Sequence, residues 1–111
     1  MTRSHDDYKI EIEVDGHLAA LAQVSRTSDP AVIRAALHVE SGHLPAGTRT
    51  RLVDAVLDDP DVSGASHLAA STPTGDGELL DRIRERARSV TVRTAGATNL
   101  VDADLLPARR T

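Results

Sequence analysis

From Tyr8 the chain alternates. Tyr8, Ile10, Ile12 and Val14 fall on one side, and Lys9, Glu11, Glu13 and Asp15 on the other. A period of two predicts a half-buried strand. Asp15-Gly16 predicts a hairpin turn, because glycine takes positive φ at no steric cost. The return strand runs from Leu18 to about Arg26, with Leu18, Ala20, Ala22 and Val24 in one phase. Thr27-Ser28-Asp29-Pro30 then predicts a helix start, offering a capping oxygen and a proline where its missing N–H costs nothing. On that helix Val32, Ile33, Ala36, Leu37 and Val39 share a side, and Gly42 stops it. A second helix follows Pro45, with Leu52, Val53, Val56 and Leu57 as its buried stripe, and Asp58-Asp59-Pro60 ends it.

Residues 65–72 predict a short strand of small residues around His67 and Leu68. A third helix is expected from about Asp76 to Arg88, on the stripe Leu79, Leu80, Ile83 and Ala87. Val90 to Thr94 is β-branched and predicts a strand, Ala95-Gly96 a break, and Thr98 to Leu105 a last strand. The expected order is ββααβαββ. It implies an α+β two-layer sandwich, with about three helices on a mixed four- or five-stranded sheet. One domain is expected over residues 8–106, with polar tails at 1–7 and 107–111. The strand–helix–strand unit at 65–94 should cross over right-handed if its strands are parallel neighbours.

Composition narrows the classes. With 111 residues there is material for one modest core. Tyr8 is the one aromatic residue, so leucine, valine, isoleucine and alanine must fill that core. Base stacking on aromatic platforms is thereby almost excluded. A net charge of −4 disfavours phosphate backbones and makes nucleic acid an unlikely partner. The absence of cysteine removes disulfides, thiol nucleophiles and thiolate metal sites. No apolar run approaches the roughly 20 residues of a membrane span, and the polar start is unlike a signal peptide. A cytoplasmic location is expected. Lys9 is the one lysine beside twelve arginines, a bias that fits a GC-rich coding genome.

The candidate chemistry is sparse. His38-Val39-Glu40-Ser41-Gly42-His43 suggests zinc, but helical zinc histidines stand at i and i+4, whereas these are five apart with glycine between. With no cysteine, the remaining ligands would have to come from distant carboxylates or from His17 and His67. Asp59-Pro60-Asp61-Val62-Ser63-Gly64 matches half a calcium loop, with Ala70 where a bidentate glutamate belongs. Arg82, Arg84, Arg86 and Arg88 split into two helix flanks with Glu78, Asp81 and Glu85 between them, a salt-bridged face rather than a phosphate track. Before the third helix, Asp76 is placed to cap the helix itself and to repel an incoming phosphate. No Gly-x-Ser-x-Gly elbow occurs. Neither a cofactor, nor a metal, nor a catalytic residue is expected on this reading.

Thr94-Ala95-Gly96-Ala97-Thr98-Asn99 lacks bulky side chains and predicts a turn or a close contact. Thr94, Gly96, Ala97 and Asn99 are the expected interface residues, toward a protein partner or a second copy of the chain. The leading functional expectation is therefore a non-enzymatic protein-interaction or regulatory module. The first alternative is a small enzyme or ligand-binding domain with a pocket at His67, Asp76 and Arg93. The second is nucleic-acid binding through the arginine-bearing third helix.

Overall fold

The computed structural model describes residues 7–40 and 44–105. The expected tails therefore lie almost wholly outside the described residues, as do Gly42 and His43. The first strand, β1 (Asp7–Val14), turns at Asp15-Gly16 into β2 (His17–Arg26). Both turn residues have positive φ, 53° and 85°, as a tight two-residue hairpin requires. A bulge interrupts the ladder: Ile12 faces Ala20 while Glu13 faces Leu18, leaving Ala19 as the extra residue. That one-residue slip reverses the phase, so Ala20, Ala22 and Val24 are buried as expected but Leu18 is 39% exposed.

The largest correction concerns residues 30–41, where a helix was expected and a strand, β3 (Val32–Val39), is found. The Thr27–Asp29 oxygens do cap, but they cap a turn. Asp29 Oδ1 accepts from Ala31 N at 2.9 Å, Asp29 O accepts from Val32 N at 3.0 Å, and Thr27 Oγ1 donates to Val32 O at 3.0 Å. Short side-chain-to-backbone bonds of this kind compete with helix formation. Beyond the turn, the alternation of buried Ile33, Ala35 and Leu37 with exposed Arg34 and His38 is a strand pattern.

Next come α1 (Thr48–Asp58), a single turn α2 (Pro60–Ser63), and β4 (His67–Pro73). Last are α3 (Gly77–Arg86), β5 (Ala87–Ala95) and β6 (Thr98–Leu105). The sheet has six strands rather than four or five, in the order β1-β2-β3-β4-β6-β5. Among the described residues its one parallel pair is β3 with β4, joined through α1 and α2. The strands at 65–94 are not neighbours, because β6 lies between β4 and β5. The α+β class holds.

Five of the six strands bury one phase, Ile12, Ala22, Val24, Ile33, Ala35, Leu37, Leu68, Ala70, Val101 and Ala103, while β5 packs only partly buried residues, Val90 and Val92 among them, against it. These side chains cluster with Leu52, Val53, Val56, Leu79 and Ile83 from the helices. The helices thus cover one face, and each buried leucine or isoleucine contributes about 1.5–3 kcal/mol. On the other face Arg34, Ala36 and His38 of β3 lie beside His67, Ala69 and Ser71 of β4. Leu100, Asp102 and Asp104 of β6 and Ser89, Thr91 and Arg93 of β5 continue that face.

Ion pairs tie the two long helices. Asp54 of α1 accepts from Arg82 Nε at 2.9 Å and Nη2 at 3.0 Å, and from Arg86 Nη1 at 2.8 Å. Arg86 Nη2 also reaches Asp58 at 2.7 Å, and Arg82 Nη1 reaches Glu85 at 2.8 Å. The Arg82 hydrogen bonds hold the Asp54 carboxyl below its usual range. One flank of the arginine-bearing helix is therefore spent on α1. At the sheet's first edge, the Tyr8 hydroxyl donates to Asp59, whose carboxylate also accepts from Asp61 N as the α2 cap.

Candidate functional site

The parallel ladder runs from Val32 opposite His67 to Ala36 opposite Ser71, and there it stops. Beyond it the two strands follow different neighbours. Leu37 to Val39 remain paired with β2, and Thr72 and Pro73 with β6. The backbone edge of residues 37–39 that faces β4 is left without a strand partner among the described residues. The opening holds a cavity of about 130 Å³ lined by Leu37, His38, Ser71, Thr72, Pro73, Ala97 and Thr98. Among these, His38 is the titratable side chain. Thr72 is 1% exposed, and its Oγ1 has no hydrogen-bond partner among the described residues. A buried hydroxyl without a partner is uncommon and calls for an explanation.

Two helices begin at this end of the sheet, and their starts differ. At α3, Asp76 accepts from Leu79 N at 3.2 Å, so a carboxylate occupies the helix N-terminus. At α1 the capping position is Gly47, with φ 88°, no side-chain cap and no acidic residue in the first turn. Thr48 N–H is bonded to Pro45 O and Arg51 N–H to Gly47 O. The helix itself offers no acceptor to Arg49 and Thr50 N–H. Such a start, with its positive dipole end, suits an anion. The two starts are joined directly, since Arg49 Nε donates to the buried Asp76 carboxylate at 2.6 Å.

The expected ligand trio is spread out. Asp76 stands beyond the carboxyl end of β4, committed to Leu79 and Arg49. His67 stands at the amino end of that seven-residue strand, on the order of 20 Å away by strand rise. Its Nδ1 lies 3.0 Å from Asp104 Oδ1 and its Nε2 3.4 Å from Asp102 Oδ1. The hydrogen bond to Asp104 raises the imidazole above its ordinary pKa, against the opposing effect of burial, and lowers Asp104 in turn. Arg93 projects from β5 on the uncovered face. Of the expected interface residues, Thr94 and Asn99 bond to each other at 3.0 Å across the β5–β6 hairpin, and Gly96 takes φ 63° at its tip. Ala97 borders the opening, and its carbonyl accepts from Thr74 N at 3.0 Å. His43 lies outside the described residues. Among those described, no three histidine or acidic side chains converge on a metal position.

Sequence reasoning missed the opening because its members come from two strands and a hairpin. As a helical residue His38 has the wrong spacing for zinc, yet as a strand residue it shares a face with Arg34 and Ala36 and reaches the cavity. Comparisons with known proteins bear on the fold. No protein-family model matches the chain, and no curated protein matches it in sequence. Solved structures do. An acetyltransferase of the GNAT family from Streptococcus pneumoniae superposes with a TM-score of 0.64 at 9% identity, over 93% of this chain and 68% of that one.

The fold is GNAT-like. Diaminobutyrate acetyltransferase from Paenibacillus lautus, solved with L-2,4-diaminobutyric acid and coenzyme A, gives 0.66 at 13% identity, over 87% of this chain and 69% of that one. IAA acetyltransferase from Bacillus cereus gives 0.63 at 12%, over 92% and 79%. At such identities the likeness is one of fold, and the chain spans about two thirds of the first two relatives. The expectation of a non-enzymatic interaction or regulatory module is corrected by this finding, since the structures that superpose on the chain are acetyltransferases. The enzyme alternative fits better. No helix among the described residues is long and apolar enough to cross a membrane.

Proposed function

We propose that the chain is an acyltransferase that moves an acyl group from an acyl-coenzyme A thioester to an amine, using the opening between β3 and β4. The observation that carries this reading is the parting of the one parallel pair after Ala36 and Ser71, beside an uncapped helix start, in a GNAT-like fold. In open sheets, ligands favour the crevice outside strand carboxyl ends where the chain's direction of travel reverses.

The residues present fit a phosphate-bearing thioester. Gly47 and the N–H groups of Arg49 and Thr50 suit its phosphates, and the free backbone edge of residues 37–39 suits an extended amide-bearing arm. Thr72 Oγ1, otherwise unpartnered, is a hydrogen-bonding group for what enters the opening. The bound thioester would supply an activated acyl carbonyl. His38 takes the proton from the acceptor amine, directly or through a water, because only the neutral amine is a nucleophile.

The test is calorimetric titration with acetyl-coenzyme A, combined with release of free coenzyme A in the presence of amines. Binding is expected, and Gly47→Asp should weaken it at least tenfold, since its carboxylate would occupy the anion position. A Cβ there meets nothing within 4 Å, but φ 88° strains any side chain. Gly47→Asn, which carries the same strain without the charge, is therefore the control, with circular dichroism to check that both variants fold. An unmodified chain that takes up no acetyl-coenzyme A at millimolar concentration refutes the proposal.

A further inference from the structure

On the uncovered sheet face, a trough of about 320 Å³ adjoins the opening, with Ser71 lining both. Register explains the trough. Ala36 and Ala69 sit at its centre, where long side chains would otherwise stand, and Arg34 of β3 and Arg93 of β5 wall it on opposite sides. Among the described residues neither arginine forms an ion pair or side-chain hydrogen bond, whereas Arg49, Arg82 and Arg86 are all paired. The carboxylate between them, Asp102, lies 3.4 Å from His67 Nε2. Two guanidinium groups therefore face one small-floored space with their donors unspent, in a chain whose net charge is −4. Such forks match a carboxylate in geometry and charge.

We infer that the trough holds the carboxylate of an amino-acid acceptor, between Arg34 and Arg93, while its amine reaches the opening past Ser71. This deepens the acyltransferase reading and rests on it for the fate of the amine. The distance between the two positions sets the substrate class. Arg34 stands level with Ala69 and Arg93 with Ser71, so the carboxylate lies between those levels. His38 stands two residues past Ala36 on β3, a rise of about 7 Å. An α-amine, a few ångströms from its own carboxylate, is too close. An amine five or six bonds from the carboxylate fits, as in 5-aminopentanoate or the side chain of free lysine. On transfer, the amine nitrogen forms the new C–N bond to the acyl carbon and the C–S bond breaks. The amine's proton passes to His38, and the sulfur leaves as a thiolate.

Two measurements test the inference separately from the activity. In the first, 5-aminopentanoate is titrated into the full chain and followed by NMR, with Arg34→Gln and Arg93→Gln beside it. Both arginines are exposed, so both variants should fold. Each should weaken binding on the order of tenfold, the worth of a charge-assisted hydrogen bond. No binding to the unmodified chain, or equal binding by the variants, overturns the inference whether or not acyl transfer occurs. In the second, coenzyme A release is compared for 5-aminopentanoate and pentylamine. The variants should raise KM for the amino acid and leave that for pentylamine and for acetyl-coenzyme A unchanged. An equal rise for both amines would assign the arginines a merely structural role and overturn the inference. Transfer to no amine at all, with 5-aminopentanoate still bound through the arginines, would refute the acyltransferase reading and leave the carboxylate site standing.

Discussion

Removing one oxygen atom from Tyr8 should loosen the first edge of the sheet by a predictable amount. The Tyr8 hydroxyl donates to Asp59, and this bond links β1 to the junction of α1 and α2. A hydrogen bond to a charged acceptor is worth about 1.5–3 kcal/mol. In Tyr8→Phe the Asp59 carboxylate keeps its bond from Asp61 N, and both residues are only half-buried, so water replaces part of the loss. A cost of about 1–2 kcal/mol follows, with a fall in Tm of roughly 4–8 °C for each of those kcal/mol.

A second signature belongs to the same bond. Burial, then the hydrogen bond and negative charge of Asp59, push the phenol well above its ordinary pKa. A raised folded-state pKa means that the unfolded chain ionises first. The stabilisation is complete below about pH 10 and declines above it, by about 1.4 kcal/mol per pH unit while the folded phenol stays protonated. Urea unfolding followed by circular dichroism at a series of pH values measures both effects. Because Tyr8 is the one tyrosine, tyrosinate absorbance reports its ionisation without interference. If Tyr8→Phe unfolds at the same urea concentration and keeps the same loss of stability above pH 10, the reasoning fails.

Other expectations follow from the buried and paired groups. Thr72→Val should raise the stability of the unliganded chain by about 1 kcal/mol, because it removes a buried hydroxyl without a partner, yet weaken acetyl-coenzyme A binding. A loss of stability in urea would show that the hydroxyl is satisfied in solution. Leu52→Ala, at a side chain with 0% exposure between sheet and helices, should cost about 2–5 kcal/mol in the same assay. The raised pKa of His67 stabilises the junction of β4, β6 and β5 fully below about pH 6.5 and is lost as pH rises through the folded value. At the acid end the lowered pKa of Asp104 removes its share as pH falls below about 4. His67→Gln should abolish the neutral-pH part of that profile, which the imidazole NMR titration of the parent chain should match.

Local signals announced the first hairpin, α1, α3 and β6, because in each the period of apolar residues agrees with its boundary signals. Tyr8 to Val14 needs no distant partner to declare its two faces, and Asp15-Gly16 has one natural conformation. β3 escaped because Asp29-Pro30 can begin either a helix or a turn, and Val32-Ile33-Ala36-Leu37 satisfies a helical stripe as well as a strand. Ala35 was the deciding residue, since only a strand sets it beside Ile33 and Leu37. The bulge at Ala19 leaves no local mark in a run of small residues. The site was the least legible part. The parting of β3 from β4 depends on which neighbour each strand keeps, and neither His38 nor Thr72 carries that information in its own surroundings. Asp76 was the exception, because a helix cap is a local event.

The parallel ladder has a consequence for how the chain assembles. It divides the sheet into a three-stranded part built from residues 7–39 and another built from residues 67–105, each knit by antiparallel neighbours. Only the five pairs from Val32–His67 to Ala36–Ser71 weld the two together in the sheet. Closing that weld brings together residues more than thirty positions apart, a costlier loop than any hairpin in the chain. The opening proposed for binding lies at the weld's end, so either half alone would lack it. A ligand seated there would act as a rivet across the join, drawing the last stage of folding forward by mass action.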